Sequence, residues 1–394
     1  DVTAADVQLA AREGYRSVEH LKRYTTTGMG TDQGKTSNVN ALAILSDVLA
    51  SDIPAVGTTT FRPPYTPATI GAYTGRNVGK LFEPIRKTRI DEWARANGAK
   101  FEHVGQWMRA WYFPKQGETF RQAIDREVKA VRDGCGILDA STLGKIDIQG
   151  PDAAEFLNRI YTNAWLKLGV GRCRYGLMLK EDGMVMDDGV TTCVGENHYH
   201  MTTTTGGAAN VLSWLEEWHQ TEWPDLKVFF SSVTEQWSVV AINGPKSRAV
   251  MQKLCEDVDF SAEAFPFMSM KEGTVAGIPA RLYRISFTGE LSFEINVPAR
   301  YGLALWEALM EAGKEFDITP YGTETMHVLR AEKGFIIVGQ ETDGTVNPLD
   351  LGMDWIVSKK KPDFVGKRSL ERESMSSPER KQLVGLLTED PQTV

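Results

Sequence analysis

The sequence predicts an α+β fold in which one strand–helix unit occurs twice. Two segments, GKIDIQG and WSVVAINGP, carry apolar residues at every second position, as expected for strands with one buried face. Each segment ends at a Gly-Pro pair, Gly150-Pro151 or Gly244-Pro245, and a helical stretch follows. Proline suits the first turn of a helix, because the N–H that it lacks has no partner there. The two units suggest an internal duplication, and their irregular order favours α+β sheets over a doubly wound parallel sheet.

Length and composition suit two or three domains with a substantial core. The 394 residues are 42% hydrophobic and 24% charged, and the net charge of −8 argues against nucleic acid or an anionic membrane surface as the main partner. No run of 18 apolar residues occurs, so we expect no membrane span. The four cysteines form no close pair, which predicts buried thiols in a reducing cytoplasm. His198 and His200 would share one face of a strand, but without a third ligand we expect no metal site.

Three domains are predicted along the chain. Residues 1–85 have helical patterns over 1–24 and 38–50, and a Pro-rich stretch over 57–76 that we expect to lack regular structure. Residues 86–375 alternate between strands and helices. Residues 376–394 begin a new alternating strand, and a lone strand needs a partner sheet. We therefore expect the chain to begin in the middle of a longer protein and to end inside a further β domain.

An acidic pair, Asp187-Asp188, falls within a predicted hairpin. Tyr175 to Leu179 has the pattern of one strand, an Asp-Gly turn follows, and the returning strand contains both acids. Neighbouring strand residues face opposite sides, so one carboxylate would point to the core. A buried carboxylate is costly unless it is hydrogen-bonded or functional. The residues alone favour a structural acid at a strand end over a catalytic one.

Other polar features allow two interpretations each. The Thr202–Thr205 run, followed by two glycines, is either a helix cap or part of a site. Glu294, in the strand after a Thr-Gly-Glu turn, lies either on a solvated face or in a site. Arg330 and Glu332 suggest a structural ion pair. Because no nucleophile motif and no phosphate-binding loop is present, the chemistry would depend on positioned carboxylates or on a cofactor.

In order along about 240 residues, these segments resemble the aminomethyltransferase family, which includes the T-protein of the glycine cleavage system. Any one motif is weak, but the series is specific. The resemblance implies a tetrahydrofolate-binding, one-carbon-transfer domain with the T-protein fold, from about Gly134 to Leu370. The motifs are GCGILDASTLGKIDIQGPDAAEFLNRIYTN, the hairpin with its acid pair, AINGPKSRAVM, the TGE turn, LRAEKGF and NPLDLGMDWIVSKKKPDFVGKRSL.

The first 85 residues make the chain similar to the family of α subunits of heterotetrameric sarcosine oxidases, through YTTTGMGTDQGKTSN and TTTFRPPYTPATIGAYTGR. That resemblance implies an upstream nucleotide-binding domain that holds NAD, a following β-barrel, a flavin-carrying β subunit with FMN and FAD, and smaller subunits. It implies that sarcosine, a small amine, is oxidised by the partner's flavin. Tetrahydrofolate then takes up the carbon, and the products are glycine, 5,10-methylenetetrahydrofolate and hydrogen peroxide.

The resemblance also assigns roles to single residues. Asp188, thirteen residues after Tyr175, matches the catalytic acid at the nitrogen that bridges pterin and benzoate, and Asp187 is the neighbouring alternative. Glu294 matches the acid that holds the pterin ring. The remaining expected folate-binding residues are Tyr175 and Leu143, which would pack near the ligand, the pocket arginine Arg330, Thr202 or Thr204 in place of a family asparagine, and Phe287 in place of a family tyrosine.

Thr60 and Arg62, in a polar Pro-rich loop, are a further expectation, as contacts to a flavin at a subunit interface. Two rival functions remain open. One is a stand-alone aminomethyltransferase or folate-dependent demethylase, which the N-terminal 85 residues oppose. The other is a folate-binding scaffold that only stabilises its partners, in which the acid pair would be structural.

Overall fold

The computed structural model describes residues 2–63, 65–66 and 68–390, and the chain divides into two compact units, Asp1–Pro84 and Ile85–Val394. The first unit is helical, as predicted. Thr3 caps the first helix through a reciprocal pair of hydrogen bonds with Asp6. The helices are α1 (Ala4–Arg12), α2 (Val18–Thr25), α3 (Asn38–Leu49), α4 (Ile53–Val56) and α5 (Ile70–Thr74), and α1 to α3 share a small apolar core.

The Pro-rich stretch 57–76 is more ordered than the sequence predicts. Helix α5 forms within it. The helix begins at Ile70, after the last proline of the stretch, so no proline ring obstructs its turn. The prediction of no regular structure is therefore wrong for these five residues. Pro64 and Pro67, on which that prediction partly depended, lie outside the described residues.

The second unit contains two sheets and a hairpin. The five-stranded sheet has the order β5-β6-β7-β4-β8, and the six-stranded sheet has the order β10-β11-β12-β9-β3-β13. Neighbouring strands are antiparallel except β13 and β3. The strands are β1 (Lys100–Val104), β2 (Trp107–Tyr112), β3 (Gly136–Asp139), β4 (Gly144–Gln149), β5 (Cys173–Leu179), β6 (Val185–Gly195), β7 (His198–Thr203), β8 (Phe229–Ser232), β9 (Trp237–Asn243), β10 (Met270–Val275), β11 (Ile278–Tyr283), β12 (Ser292–Pro298) and β13 (Thr319–Pro320).

Helices cover one face of each sheet. Helices α8 and α9 share a core with the five-stranded sheet, and α10 and α11 share one with the six-stranded sheet. The helices are α6 (Asp91–Ala96), α7 (Phe120–Asp133), α8 (Ala153–Ile160), α9 (Ala208–Thr221), α10 (Ser247–Leu254), α11 (Gly302–Ala312), α12 (Thr323–Lys333) and α13 (Lys367–Leu370). This arrangement confirms the α+β prediction. In the described part of the chain, no helix is both long and apolar enough to cross a membrane.

The predicted strand–Gly-Pro–helix unit is present twice, once in each sheet. Strand β4 leads through Gly150 into α8, and strand β9 leads through Gly244 into α10. Both glycines have a positive φ, 132° and 113°. A Cβ atom at Gly150 would lie 2.1 Å from the Lys227 carbonyl oxygen, and one at Gly244 would lie 2.5 Å from two carbonyl oxygens. Glycine is therefore required at the same point of both units.

The last segment does not form the strand predicted for it. Residues 376–390 contain neither a helix nor a strand, and Leu386 and Leu387 are 91% and 98% exposed. A strand needs a neighbouring strand, and no strand pairs with this segment among the described residues, although the Leu383 amide donates a hydrogen bond of 2.7 Å to the Asp350 carbonyl. Residues 391–394 of the predicted strand lie outside the described part. The predicted boundaries of the three domains stay predictions.

Candidate functional site

A cavity of about 1370 Å³ lies between the two sheets of the second unit. Its walls are largely apolar, with a few polar groups, as in small-molecule sites. Most of the candidate residues from the sequence line it. They are Leu143, Tyr175, Asp187, Asp188, Thr202, Thr204, Phe287 and Glu294.

Asp188 lies in β6 and faces this cavity. Strand alternation and the hairpin register put it on the same face as Tyr175, whose hydroxyl donates a hydrogen bond of 2.6 Å to the Asp188 carboxylate. Burial raises the pKa of Asp188 to about 7, although the hydrogen bond from Tyr175 opposes the rise. An acid with this pKa can give up or accept a proton at neutral pH.

Asp187 makes a separate set of contacts and is buried. Its carboxylate accepts hydrogen bonds from the Thr204 hydroxyl at 2.9 Å, the Thr204 amide at 3.3 Å and the Asp188 amide at 2.7 Å. Gly207 approaches so closely that a Cβ atom there would lie 1.8 Å from the Asp187 carboxylate. Asp187 therefore holds the loop from Thr204 to Gly207 against β6, and its oxygens are occupied by protein groups.

Glu294 reaches the cavity from the six-stranded sheet. Its neighbours in β12, Phe293 and Ile295, are in the core beneath, so alternation turns Glu294 to the cavity side. No group in the described part of the chain donates a hydrogen bond to its carboxylate. Burial raises the pKa of Glu294 to about 7, and the positive charge of Lys145 opposes that rise. The interpretation of Glu294 as part of a solvated strand face is therefore wrong.

Lys145 was missed by the sequence reasoning. It is buried in β4, and its ammonium group donates hydrogen bonds of 2.8 Å to the carbonyl oxygens of Ser141 and Leu143. Burial lowers the pKa of Lys145 to about 8. A signal was available, because Lys145 and Asp147 alternate with two isoleucines in GKIDIQG. That alternation indicated a solvated face, whereas the other sheet covers this face.

The side chains of Thr202, Thr204 and Phe287 contact other residues of the protein. The Thr202 hydroxyl bonds to the amide and carbonyl of Val190 at 3.0 and 2.9 Å, and the Thr204 hydroxyl bonds to Asp187. Phe287 stacks on Phe335, with ring centroids 6.1 Å apart. These side chains shape the cavity wall, and their roles in ligand binding stay predictions.

Arg330 does not line the cavity. It is buried in α12 and bonds to the Phe335 carbonyl at 3.1 Å and the Glu341 carboxylate at 2.7 Å. The predicted ion pair between Arg330 and Glu332 is wrong, since Glu332 pairs with Arg132 at 2.6 Å. Arg330 therefore acts on the cavity indirectly, by fixing the loop that follows α12 and lines one wall.

Thr60 and Arg62 lie in the first unit and are exposed. The Thr60 amide donates to Glu19 at 2.5 Å, and the Arg62 amide donates to the Gln33 side chain at 3.2 Å. Both contacts hold the backbone of the loop. Their predicted contact with a flavin stays a prediction.

Some cavity residues had no usable signal in the sequence. Asn163 lies in a loop after α8, and its side-chain amide donates to the Tyr175 carbonyl at 2.8 Å. Arg174 precedes Tyr175 in β5 and bonds to the Ala164 carbonyl. Glu102 and Arg109 come from the β1–β2 hairpin. None of these contacts is local, so spacing along the chain could not reveal them.

The fold is that of an aminomethyltransferase. The glycine cleavage system aminomethyltransferase T from Bartonella henselae superposes with a TM-score of 0.63 at 24% identity, covering 72% of this chain and 73% of that chain. The chain belongs to the family of the GCVT N-terminal domain, whose model matches residues 90–361. The aminomethyltransferase of Symbiobacterium thermophilum is 33% identical over 309 residues, covering 78% of this chain and 79% of that relative.

The predicted resemblance to sarcosine oxidase α subunits is also confirmed. The model of the sarcosine oxidase A3 domain matches residues 1–76. Sarcosine oxidase subunit alpha of Corynebacterium sp. (strain U-96) is 59% identical over 392 residues, and that of Rhizobium meliloti (strain 1021) is 51% identical over 395 residues. The matches cover 99% and 100% of this chain. The chain spans 40% of the length of each of these relatives.

Proposed function

We propose that the cavity binds tetrahydrofolate and that Asp188 assists the transfer of a one-carbon unit to it. One observation carries this proposal: two half-buried acids from different sheets face a single cavity. Asp188 has a proton-donating partner in Tyr175, while Glu294 has no partner in the described chain. The family to which the chain belongs supports the same conclusion.

The environment of Glu294 suits a pterin ring. A pterin presents neighbouring amino and ring N–H donors, and a carboxylate accepts such a pair through two charge-assisted hydrogen bonds. An unpartnered buried carboxylate is costly until a ligand supplies those donors. Leu143 and Tyr175 line the same cavity and offer apolar surface to the ligand's rings.

The environment of Asp188 suits proton transfer. When bound, tetrahydrofolate supplies the nucleophilic nitrogens that take up the carbon. Asp188 would hold or accept the proton at the nitrogen that bridges pterin and benzoate, because its pKa of about 7 leaves both protonation states accessible at neutral pH. The Tyr175 hydroxyl fixes the orientation of that carboxylate. Asp187 would act by holding the neighbouring loop in place.

We propose further that this domain is part of a sarcosine oxidase, in which sarcosine is oxidised on a flavin-carrying β subunit. The carbon is captured here, and the products are glycine, 5,10-methylenetetrahydrofolate and hydrogen peroxide. FMN and FAD would be on or shared with the partner, and NAD on a region upstream of this one. Similarity over nearly the whole chain to sarcosine oxidase α subunits supports this proposal. Four buried, unpaired cysteines support a reducing cytoplasmic location.

The test is the yield of methylenetetrahydrofolate from sarcosine by the assembled oxidase. We expect Asp188→Asn to reduce the rate of its formation about 100-fold or more while sarcosine oxidation continues, because general acid–base catalysis contributes factors of this size. Asp225→Asn, at an exposed acid outside the cavity, is the matched control and should behave like wild type. Wild-type product formation by Asp188→Asn would support a scaffold role. Failure of the wild-type protein to bind tetrahydrofolate would overturn the proposal as a whole.

A further inference from the structure

Four buried polar atoms between the two sheets have no hydrogen-bond partner in the described part of the chain. They are His200 Nε2 from β7, Arg281 Nη1 and Tyr283 Oη from β11, and Asn296 Oδ1 from β12. His200, Tyr283 and Asn296 are 1%, 4% and 3% exposed. A buried polar atom without a partner destabilises the fold, so four in one region call for a shared partner.

The four groups belong to neighbouring residues of the two sheets. Arg281 and Asn296 are direct partners in the β11–β12 register. The His200 and Tyr283 rings face each other across the sheets, with centroids 6.4 Å apart. Trp237 contacts both sides, since its ring lies 6.2 Å from that of His200 and 4.7 Å below the Arg281 guanidinium. Arg281 and Tyr283 are close, yet neither atom has a partner that meets hydrogen-bond geometry.

Hydrogen bonding to Asp147 defines which nitrogen of His200 carries a proton. Asp147 lies 2.6 Å from His200 Nδ1 and 3.1 Å from His198 Nε2. Burial works against ionisation of Asp147, but these two histidines hold its pKa below the usual value. Burial also lowers the pKa of His200. A carboxylate at Asp147 requires the proton on Nδ1, so Nε2 of neutral His200 is an acceptor.

The four atoms then form a matched set of two donors and two acceptors. Arg281 Nη1 and the Tyr283 hydroxyl donate, while His200 Nε2 and Asn296 Oδ1 accept. An anion would be repelled by the two acceptors, and a cation by the Arg281 guanidinium. A water molecule accepts two hydrogen bonds and donates two, and buried waters typically make about three.

We propose that one buried water molecule binds Arg281, Tyr283, His200 and Asn296 and joins the two sheets at this point. His200 lies opposite Thr192 of β6, the strand that also carries Asp188. Asn296 follows Glu294 by two residues in β12. The water would therefore join β12, which carries Glu294, to β7, the neighbour of the strand that carries Asp188, and so help to set the separation of the two acids. This last consequence rests on the proposed function, whereas the water site itself does not.

The first test is a crystal structure at about 1.5 Å, grown without folate and repeated with bromide in place of chloride. We expect a single density peak within hydrogen-bond distance of all four atoms, because ordered waters bond at about 2.7 to 3.2 Å. It should have no anomalous signal in the bromide crystal. A bromide peak at this position, or direct hydrogen bonds among the four groups with no peak, would overturn the proposal.

The second test asks whether Tyr283→Phe lowers or raises the Tm of the protein. If water holds the Tyr283 hydroxyl, Tyr283→Phe removes a hydrogen bond and should lower Tm by about 2 °C. If the hydroxyl is unpaired, the same change relieves a buried polar group, and Tm should stay constant or rise, which would contradict the proposal. Tyr301→Phe, whose hydroxyl also has no described partner but lies outside this region, is the control.

The proposed effect of the water on the spacing of the two acids is tested in the same variant. If the water sets the spacing of the acids, Tyr283→Phe should weaken tetrahydrofolate binding about three- to tenfold, because a small misplacement of positioned groups is costly. A water peak in the wild type with unchanged affinity in Tyr283→Phe would contradict the spacing role alone. Absence of folate binding by the wild type would instead contradict the proposed function.

Discussion

Each of the two sheets presents one half-buried acid to the same cavity, but the sheets support these acids differently. On the five-stranded sheet, Asp188 receives a hydrogen bond from Tyr175, and Asp187 holds the adjoining loop. On the six-stranded sheet, Glu294 has no hydrogen-bond donor in the described chain. Burial brings both pKa values to about 7. Similar acidity therefore arises at one carboxylate that a protein group holds and at another that no described protein group holds.

The largest effect on binding is expected from the six-stranded sheet. Glu294→Gln replaces one of the two accepting oxygens with an NH2 donor and removes the negative charge, so the Kd for tetrahydrofolate should rise about 30- to 100-fold. Titration calorimetry on the full-length protein measures this. Glu263→Gln, at an exposed acid, is the control and should bind as the wild type does. Unchanged affinity in Glu294→Gln would mean that the ligand's donors are held elsewhere.

The protein should lose stability when Asp187, which holds the loop beside the five-stranded sheet, is changed. Asp187→Asn weakens three buried hydrogen bonds to the carboxylate, and we expect the free energy of unfolding to fall by about 2 to 3 kcal/mol. Urea denaturation measures the change. Asp188→Asn is the comparison, because its side chain has one protein donor rather than three. If Asp187→Asn is as stable as wild type while its carbon transfer is lost, the roles of the two acids are reversed.

The two acids also make stability depend on pH. Their pKa values are about 7 in the folded protein and lie near 3.8 and 4.5 without burial, so between about pH 4 and pH 7 the folded state binds more protons than the unfolded state. Stability from these groups is therefore present at low pH and lost as pH rises to about 7. We expect each acid to remove about 2 to 3 kcal/mol between pH 5 and pH 8.

The contribution of Asp188 to this pH dependence is isolated by comparing two proteins at two pH values. Other titrating groups cancel when the change in unfolding free energy between pH 5 and pH 8 is compared for wild type and Asp188→Asn. The variant should lose less stability over this interval. Equal losses in the two proteins would show that Asp188 is not protonated above its usual pKa.

The smallest effect concerns the partner of Asp188. Tyr175→Phe removes the hydrogen bond that favours the ionised carboxylate, so the pKa of Asp188 should rise by about one pH unit. The pH profile of carbon transfer should shift to the alkaline side by the same amount. Tyr301→Phe should leave the profile in place. A shift towards acid pH would mean that Tyr175 stabilises the protonated form.

Local patterns predicted the elements of the fold well, and the cavity poorly. The strands β4 and β9 and the helices after them follow from alternation and from Gly-Pro pairs, which are properties of a few neighbouring residues. The predicted ion pair between Arg330 and Glu332 failed because each residue has a partner from another part of the chain. Asn163 was missed for the same reason, since its contact with Tyr175 depends on tertiary packing.

The acid pair shows how much each kind of information contributed. Strand alternation predicted that Asp187 and Asp188 would face opposite sides, and their position at a strand end favoured a structural role. Family resemblance selected Asp188 and paired it with Glu294. The structure adds the contacts of each acid, and the hydrogen bonds of Asp187 agree with the structural role that the residues alone favoured.

The division of roles between the two sheets is tested most directly by single-turnover carbon transfer at saturating tetrahydrofolate. Glu294→Gln and Asp188→Asn are compared with wild type at neutral pH. If Glu294 binds the ligand and Asp188 serves the chemistry, saturation should restore Glu294→Gln to within about twofold of the wild-type rate, while Asp188→Asn should remain about 100-fold or more below it. Equal recovery of both variants, or a defect in both that saturation does not relieve, would contradict this division.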